Sequence, residues 1–364
     1  MTGEKMAAAT RAGGPTGNEA HPARSFTKTD RFVRCDGRQL WVRFVVPDRP
    51  AAAGCLLFVH GNTFPAISDF DLPREGSSFV EALASRGIAS CLFDHRGYGR
   101  SFKPTKAAEL GIDARARDIE AVYDVLVGEL RRRHVTLVGV STGCVTIARF
   151  LQVRSPEVSS LVFLGPNYVV NPRLLRLVQA TKLLFTLRRL LLNGDDYYFS
   201  FSARTLRKRL ADGEDGRIST QAVDQFIEAA MKASGPEATR LRSPVMGFID
   251  PRRRYGLDDT LFDASCIKQP LMIVRGGRDD FCCEHGAERL VADVGRDDVT
   301  LATVPDAKHD LHLYPRPDGV FSMLCDFVLR TWRHGRGDDD VDTARSLPKS
   351  TEPLSGQGLS VVRE

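Results

Sequence analysis

The chain has 364 residues, of which 42% are hydrophobic and 27% charged, and its formal net charge is +5. That length suits one large α/β domain with an insertion, or two domains, and the composition is that of an ordinary globular protein. The charge excess is too small and too dispersed to argue for a nucleic-acid partner. No apolar run approaches a membrane-spanning length, and the first residues lack the basic start and apolar core of a secretory signal.

Residues 1–28 are rich in Ala, Gly, Thr and charge without periodicity, and are expected to form a flexible tail. Phe32 to Arg34 and Gln39 to Val46 flank Asp36-Gly37, which predicts a hairpin. Cys55 to Val59 reads as a buried strand, Ser77 to Arg86 as a helix stopped by Gly87, and Ala89 to Phe93 as the next strand. Asp113 is expected to cap a long helix running to Leu130. A strand over His134 to Val138 leads into Gly139-Val140-Ser141-Thr142-Gly143, then a buried helix over Cys144 to Leu151 and a strand over Val158 to Leu164. After a long stretch from Pro166 to Lys268, the rhythm resumes. It continues with a strand at Leu271 to Arg275, a helix near Glu284 to Val294, a strand at Val299 to Val304 and a helix at Gly319 to Trp332. Residues 335–364 again read as a flexible tail. Short apolar strands separated by helices predict an α/β fold, a mostly parallel central sheet with helices on both faces. Active sites in such sheets lie at the carboxyl ends of the strands.

Eight cysteines are present, several inside apolar strand or helix patterns. Cys282 and Cys283 are adjacent, so they form no Cys-x-x-Cys pair, and no zinc spacing occurs. A reducing, cytoplasmic setting without a disulfide framework is expected.

Gly139-Val140-Ser141-Thr142-Gly143 is the densest chemical signal. A Gly-x-Ser-x-Gly turn between a strand and a helix holds the serine in a strained conformation and exposes its hydroxyl at a helix N-terminus. A serine hydroxyl is a poor nucleophile at neutral pH, so it needs a base, and the base needs an orienting group. Asp279 follows the Leu271 strand in the loop Gly276-Gly277-Arg278-Asp279-Asp280, with Asp280 as the rival acid. His309 follows the Val299 strand, with His312 as the rival base. His60 and His95 belong to other motifs, His21 and His334 lie in or beside the tails, and His134 and His285 lie at element ends. Two backbone N–H groups should converge as an oxyanion hole. Thr142 supplies one, and Asn62, in His60-Gly61-Asn62-Thr63 after the Cys55 strand, supplies the other.

Together these residues resemble the α/β-hydrolase superfamily from about Phe32 to Trp332. The likeness includes Asp94-His95-Arg96-Gly97-Tyr98-Gly99-Arg100-Ser101, which is similar to the superfamily's Asp-x-Arg-Gly-x-Gly-x-Ser segment, a loop-fixing signature after a central strand. The order Ser141, Asp279, His309 is the superfamily's order. The resemblance implies a core over residues 29–165 and 269–334, interrupted by a mainly helical cap or lid over 166–268. It also implies a serine hydrolase, of esterase, thioesterase or lactonase type, needing no metal or organic cofactor. Ser141 argues against the dehalogenases and epoxide hydrolases, which carry Asp there, and the halide-ligand likeness of Asn62 is discounted on the same ground. Cys144 stands where many relatives have Gly, and is expected to be buried and inert. Lys308 stands where Gly is usual before the histidine, and a nearby cation is expected to lower the imidazole pKa.

Residues 166–268 hold 17 Lys and Arg against 12 Asp and Glu, an excess equal to that of the whole chain. Arg173 to Leu192 combines leucines with arginines, so the leucines are expected to pack over the core or line an apolar acyl pocket. The basic face of the segment is expected to suit an acidic acyl carrier protein, a substrate carboxylate or an anionic membrane surface. The substrate expected is a small molecule with an apolar acyl part. The same triad would also serve an acyltransferase or a carbon–carbon bond hydrolase, and the fold alone would serve a ligand receptor.

Overall fold

The computed structural model describes residues 25–73, 76–170, 176, 179–180, 183–184, 197–211, 218–235, 237–247, 249–250, 259–311 and 318–334. Most of both expected tails, most of the leucine- and arginine-rich run and His312 lie outside them.

Asp36 and Gly37 both adopt positive φ (50° and 73°), the geometry of a tight two-residue hairpin turn. They join β1 (Phe26–Cys35) to β2 (Arg38–Pro47), with Cys35 opposite Arg38. β1 starts at Phe26, so residues 26–28, assigned to the tail from composition, belong to the sheet. The other strands are β3 (Gly54–Val59), β4 (Ser90–Phe93), β5 (His134–Val140), β6 (Ser160–Leu164), and a short β7 (Tyr198–Ser202) and β8 (Arg240–Pro244). β9 (Leu271–Gly276) and β10 (Val299–Val304) complete the set. Eight strands form one sheet in the order β1-β2-β4-β3-β5-β6-β9-β10, and only β2 runs against its neighbours.

β3 and β9 are buried along their whole length, which explains their continuous apolar runs. Alternation survives beneath: Cys55, Leu57 and Val59 pack into one core cluster, Leu56 and Phe58 into the other. The first cluster is covered by α3 (Ile112–Asp124), α4 (Thr142–Arg154) and α7 (Glu284–Val294). The second is covered by α1 (Ala66–Phe70), α2 (Phe79–Ser85) and α8 (Asp318–His334). Trp332 of α8 lies over Gly54, where a Cβ would meet the ring at 2.5 Å, and its indole N–H donates to Thr136 Oγ1 at 3.0 Å.

Helix boundaries follow local capping chemistry. α2 begins after Ser78, not at Ser77. The Ser78 hydroxyl accepts from Glu81 N–H, and the Glu81 carboxylate accepts from Ser78 N–H. Asp113 does not cap α3. The N-cap is Gly111, and the Ile112 N–H is satisfied by Asp250 at 2.7 Å, while Asp113 pairs with Arg149 of α4. The helix is α-helical to Asp124 and continues as one π-helical turn over Val125–Glu129.

Between β6 and β9 the described residues are not only helical. β7 and β8 pair antiparallel beside α5 (Ala203–Ala211) and α6 (Thr220–Ala233). Leu206, Leu210, Val223, Phe226 and Ile227 of these helices share a third apolar cluster with Phe64 and Ala307. Residues 259–267 side with the main body: Leu261, Phe262, Ala264 and Ile267 lie in the first core cluster, and Thr260 bridges Val169. No helix among the described residues is long and apolar enough to cross a membrane.

Candidate active site

Ser141 sits between β5 and α4 with φ 53° and ψ −118°, a conformation that costs a non-glycine residue of order 1–3 kcal/mol. Both flanking glycines are sterically required. A Cβ at Gly139 would stand 2.9 Å from Cys144 N, and one at Gly143 would stand 2.3 Å from the Val59 carbonyl oxygen. Ser141 N–H donates to the Leu164 carbonyl at 3.0 Å, tying the turn to β6.

The structure brings the three separated residues together. His309 Nε2 lies 2.9 Å from Ser141 Oγ. On the other side of the ring, Asp279 Oδ2 lies 2.9 Å from Nδ1. Asp279 is buried, and its Oδ1 also accepts from the N–H groups of Phe281 and Cys282, each at 2.8 Å. Asp280, the rival acid, is exposed. The Phe281 ring packs 4.9 Å from the imidazole, centroid to centroid. These contacts dictate the tautomer: Nδ1 carries the proton donated to Asp279, so Nε2 is the acceptor for the serine O–H.

Burial alone would push the Asp279 carboxyl up. The imidazole's charge and hydrogen bond, with the two N–H donors, outweigh it and hold the carboxyl below its usual range. Burial is also the largest single influence on His309, pushing it down, yet Asp279 and then Asp310 together raise the ring above its ordinary value. That corrects the expectation drawn from Lys308. Arg209 of α5 also acts against the ring, and the carboxylates win.

Thr142 opens α4, so its N–H is one of the leading amides that a helix leaves without an internal partner. The loop of Asn62 reaches the serine from β3: a Cβ at Gly61 would stand 3.6 Å from Ser141 Cβ. The Asn62 side chain is committed elsewhere. Its oxygen accepts from Arg115 Nη1 at 2.9 Å and its amide donates to the Pro244 carbonyl at 3.4 Å, while its backbone carbonyl accepts from the Tyr98 hydroxyl at 2.8 Å. His60 holds the loop from behind. Its Nε2 accepts from His95 N–H at 3.0 Å, so Nδ1–H donates to the Gly61 carbonyl at 2.8 Å. Burial keeps both His60 and His95 well below the ordinary histidine pKa, hence neutral.

The Asp94 segment fixes the neighbouring loop. Asp94 accepts from the N–H groups of Ala66 and Arg100, each at 2.9 Å, and Gly99 (φ 45°) passes so close that a Cβ would lie 1.9 Å from the carboxylate. Arg96 pairs with Asp118 at 2.7 Å and Asp36 at 2.9 Å. Cys144 is buried beside this machinery, and burial first, then the nearby Cys282, pushes its thiol well above the usual range. All eight cysteines are free.

One contact escaped sequence reasoning. Asn167 Nδ2 lies 3.0 Å from Ser141 Oγ. Its signal was positional: a polar residue directly beyond the carboxyl end of β6, where ligands of parallel sheets gather.

Comparison with known proteins agrees with this fold. The sequence model of the alpha/beta hydrolase family matches residues 56–322. The chain belongs to the alpha/beta hydrolase family. Solved hydrolase structures share its fold. A soluble variant of monoglyceride lipase from Saccharomyces cerevisiae, in complex with a substrate analogue, is 17% identical with a TM-score of 0.62, over 86% of this chain and 97% of the lipase. E-2-(acetamidomethylene)succinate hydrolase is 21% identical with a TM-score of 0.57, over 84% of this chain and 99% of the other. The thioesterase domain from the curacin biosynthetic pathway is 16% identical with a TM-score of 0.57, over 83% of this chain and 99% of the domain.

Proposed function

We propose that this hydrolase-family protein is a serine hydrolase cleaving an ester, thioester or lactone with an apolar acyl part, through an acyl-enzyme. The observation that carries the reading is the relay in which Ser141 Oγ meets His309 Nε2 at 2.9 Å while Asp279 meets Nδ1 at 2.9 Å. Ser141 Oγ attacks the scissile carbonyl as His309 takes its proton. Asp279 keeps the ring in the required tautomer and stabilises the imidazolium that forms. The N–H groups of Asn62 and Thr142 receive the oxyanion, where each such donor is worth about 10²–10³ in rate. The imidazolium then protonates the leaving group. In the second half, His309 deprotonates a water molecule, the hydroxide adds to the acyl carbon, and Ser141 Oγ departs with the returned proton.

Residues 166–268 act in this reading as the cap. Support comes from their grip on both site loops: Arg209 of α5 donates to Thr63 Oγ1 at 3.1 Å, Ser243 of β8 to the Thr63 carbonyl at 2.6 Å, and the helices' apolar cluster includes Phe64 and Ala307.

The test is turnover of a chain-length panel of p-nitrophenyl esters, acyl thioesters and lactones by the wild type and by Ser141→Ala. The wild type should turn over at least one class, and the variant should lose about 10⁴-fold or more in kcat. Wild-type-like turnover by folded Ser141→Ala would refute the assignment.

A further inference from the structure

Ser141 Oγ has two partners in the structure, and the second is unexplained by the relay. The hydroxyl donates its proton to His309 Nε2 at 2.9 Å, so the remaining contact on Oγ must come from a donor. Asn167 can supply one only through its amide nitrogen, 3.0 Å away. The direction of the Asn167 amide is therefore set by the chemistry of the serine. Its carbonyl oxygen faces the other way, within about 5 Å of Ser141 Oγ by the geometry of a primary amide.

That oxygen is conspicuous. Asn167 is 4% exposed, and its Oδ1 is buried with no hydrogen-bond partner among the described residues. Thr142 Oγ1, on the residue after the serine, is likewise buried and without such a partner. Buried amide oxygens are almost always paired, because stripping water from one without replacement costs stability. Asn167 is also held in place. It follows Gly165, whose N–H donates to the Val274 carbonyl at 2.8 Å and whose φ is 54°. A Cβ at Gly165 would stand 3.3 Å from Asp279 Oδ2 and 3.4 Å from His309 Nδ1, so this loop lies directly against the relay.

Resting on the proposed serine mechanism, we infer that Asn167 has two tasks. Its N–H positions Ser141 Oγ, and its carbonyl oxygen reads a hydrogen-bond donor on the substrate close to the scissile carbonyl. The substrate class is thereby narrowed to apolar acyl esters or thioesters that carry a hydroxyl or amide N–H near the reacting carbon. The donor could belong to the acyl group or to the leaving group, and the shared chemistry is the O–H or N–H itself. Asn167 is a specificity-determining residue in this account, with Ser141 and His309 doing the bond making and proton transfer and Asp279 holding the ring.

The experiment pairs substrates that differ only in the donor. p-Nitrophenyl butyrate against p-nitrophenyl 3-hydroxybutyrate tests the acyl side. Ethyl butyrate against 2-hydroxyethyl butyrate tests the leaving-group side. Each pair is measured with wild type, Asn167→Asp, Asn167→Ala and Asn167→Leu. In the wild type, one hydroxylated substrate should exceed its plain partner by about tenfold in kcat/KM, equivalent to about 1.4 kcal/mol. That ratio should fall to about one in Asn167→Ala and Asn167→Leu. Asn167→Asp keeps an acceptor and should retain part of the preference, with a lower kcat on both partners because the donor to Ser141 is gone. A role confined to packing would lower Tm and both rates together and leave the ratio untouched. A wild-type ratio near one on both sides, or a ratio unchanged in Asn167→Ala, overturns the inference and is the result expected if Oδ1 binds only water. Failure of the serine mechanism itself looks different: no plain ester is then turned over through Ser141.

Discussion

Gly143→Ala puts the steric logic of the turn to a quantitative test. The new methyl would stand 2.3 Å from the Val59 carbonyl oxygen, 2.9 Å from that of His60 and 3.1 Å from the Val59 carbonyl carbon. All three are backbone atoms at the end of β3 and the start of the loop that carries Asn62, so no side chain can swing aside. Real Cβ contacts are essentially never shorter than 3.0 Å, so the elbow and the loop must separate by at least about 0.7 Å. Overpacking of this kind costs about 1–3 kcal/mol of stability. The shift also separates Asn62 from Thr142, and a misplacement near 1 Å costs about 10²-fold in rate. The assay is kcat/KM on an activated ester with Tm from thermal unfolding. Gly143→Ala should lose about 100-fold in kcat/KM and about 2–10 °C in Tm. Gly128→Ala is the control: nothing lies within 4 Å of a Cβ there, and both quantities should stay near wild type. Wild-type activity and Tm in Gly143→Ala would refute the argument.

Three further outcomes follow from the electrostatics and capping. His309 must be neutral to accept the serine proton, and its pKa is raised, so wild-type kcat/KM should climb with pH through an inflection above 6.5. An inflection below 6.5 would contradict the balance drawn between Asp279, Asp310 and burial. Asp279→Asn removes the largest raising influence and leaves burial to act. The acid limb should move to lower pH while kcat falls about 10⁴-fold through loss of the required tautomer, and a pH profile that stays in place would be the contrary result. Asp250→Ala leaves the Ile112 N–H of α3 without its acceptor and should cost about 0.5–2 kcal/mol in denaturant unfolding, where an unchanged midpoint would sink the assignment of Asp250 as the acceptor that steadies the head of α3.

The local chemistry of the core was legible. Asp36-Gly37 specified its hairpin because few residues tolerate two successive positive φ values. The spans of α7 and β10 matched their periodicity, and the elbow was readable because both its glycines answer a backbone contact. What stayed hidden depended on residues distant in sequence. The donor at the head of α3 is satisfied by Asp250, which no pattern near Gly111 can announce. The shift on His309 sets burial and Arg209 against Asp279 and Asp310, and that Asp279 and Arg209 face the ring is decided by packing. β7 was missed inside a segment expected to be mainly helical, although Tyr198-Phe199-Ser200-Phe201-Ser202 has strand-like aromatic and hydroxyl content. Asn167 was passed over because a single polar residue after a strand has no meaning until its distance to Ser141 is known.

The most direct test of the account is the site of covalent capture. Intact protein treated with a fluorophosphonate should gain one adduct, mapped by peptide mass spectrometry to Ser141. The rate of capture should rise with pH through the same inflection as ester turnover, and Ser141→Ala should gain none. An adduct on another residue, or equal labelling of Ser141→Ala, would contradict the central claim that Ser141, activated by His309 and Asp279, is the nucleophile.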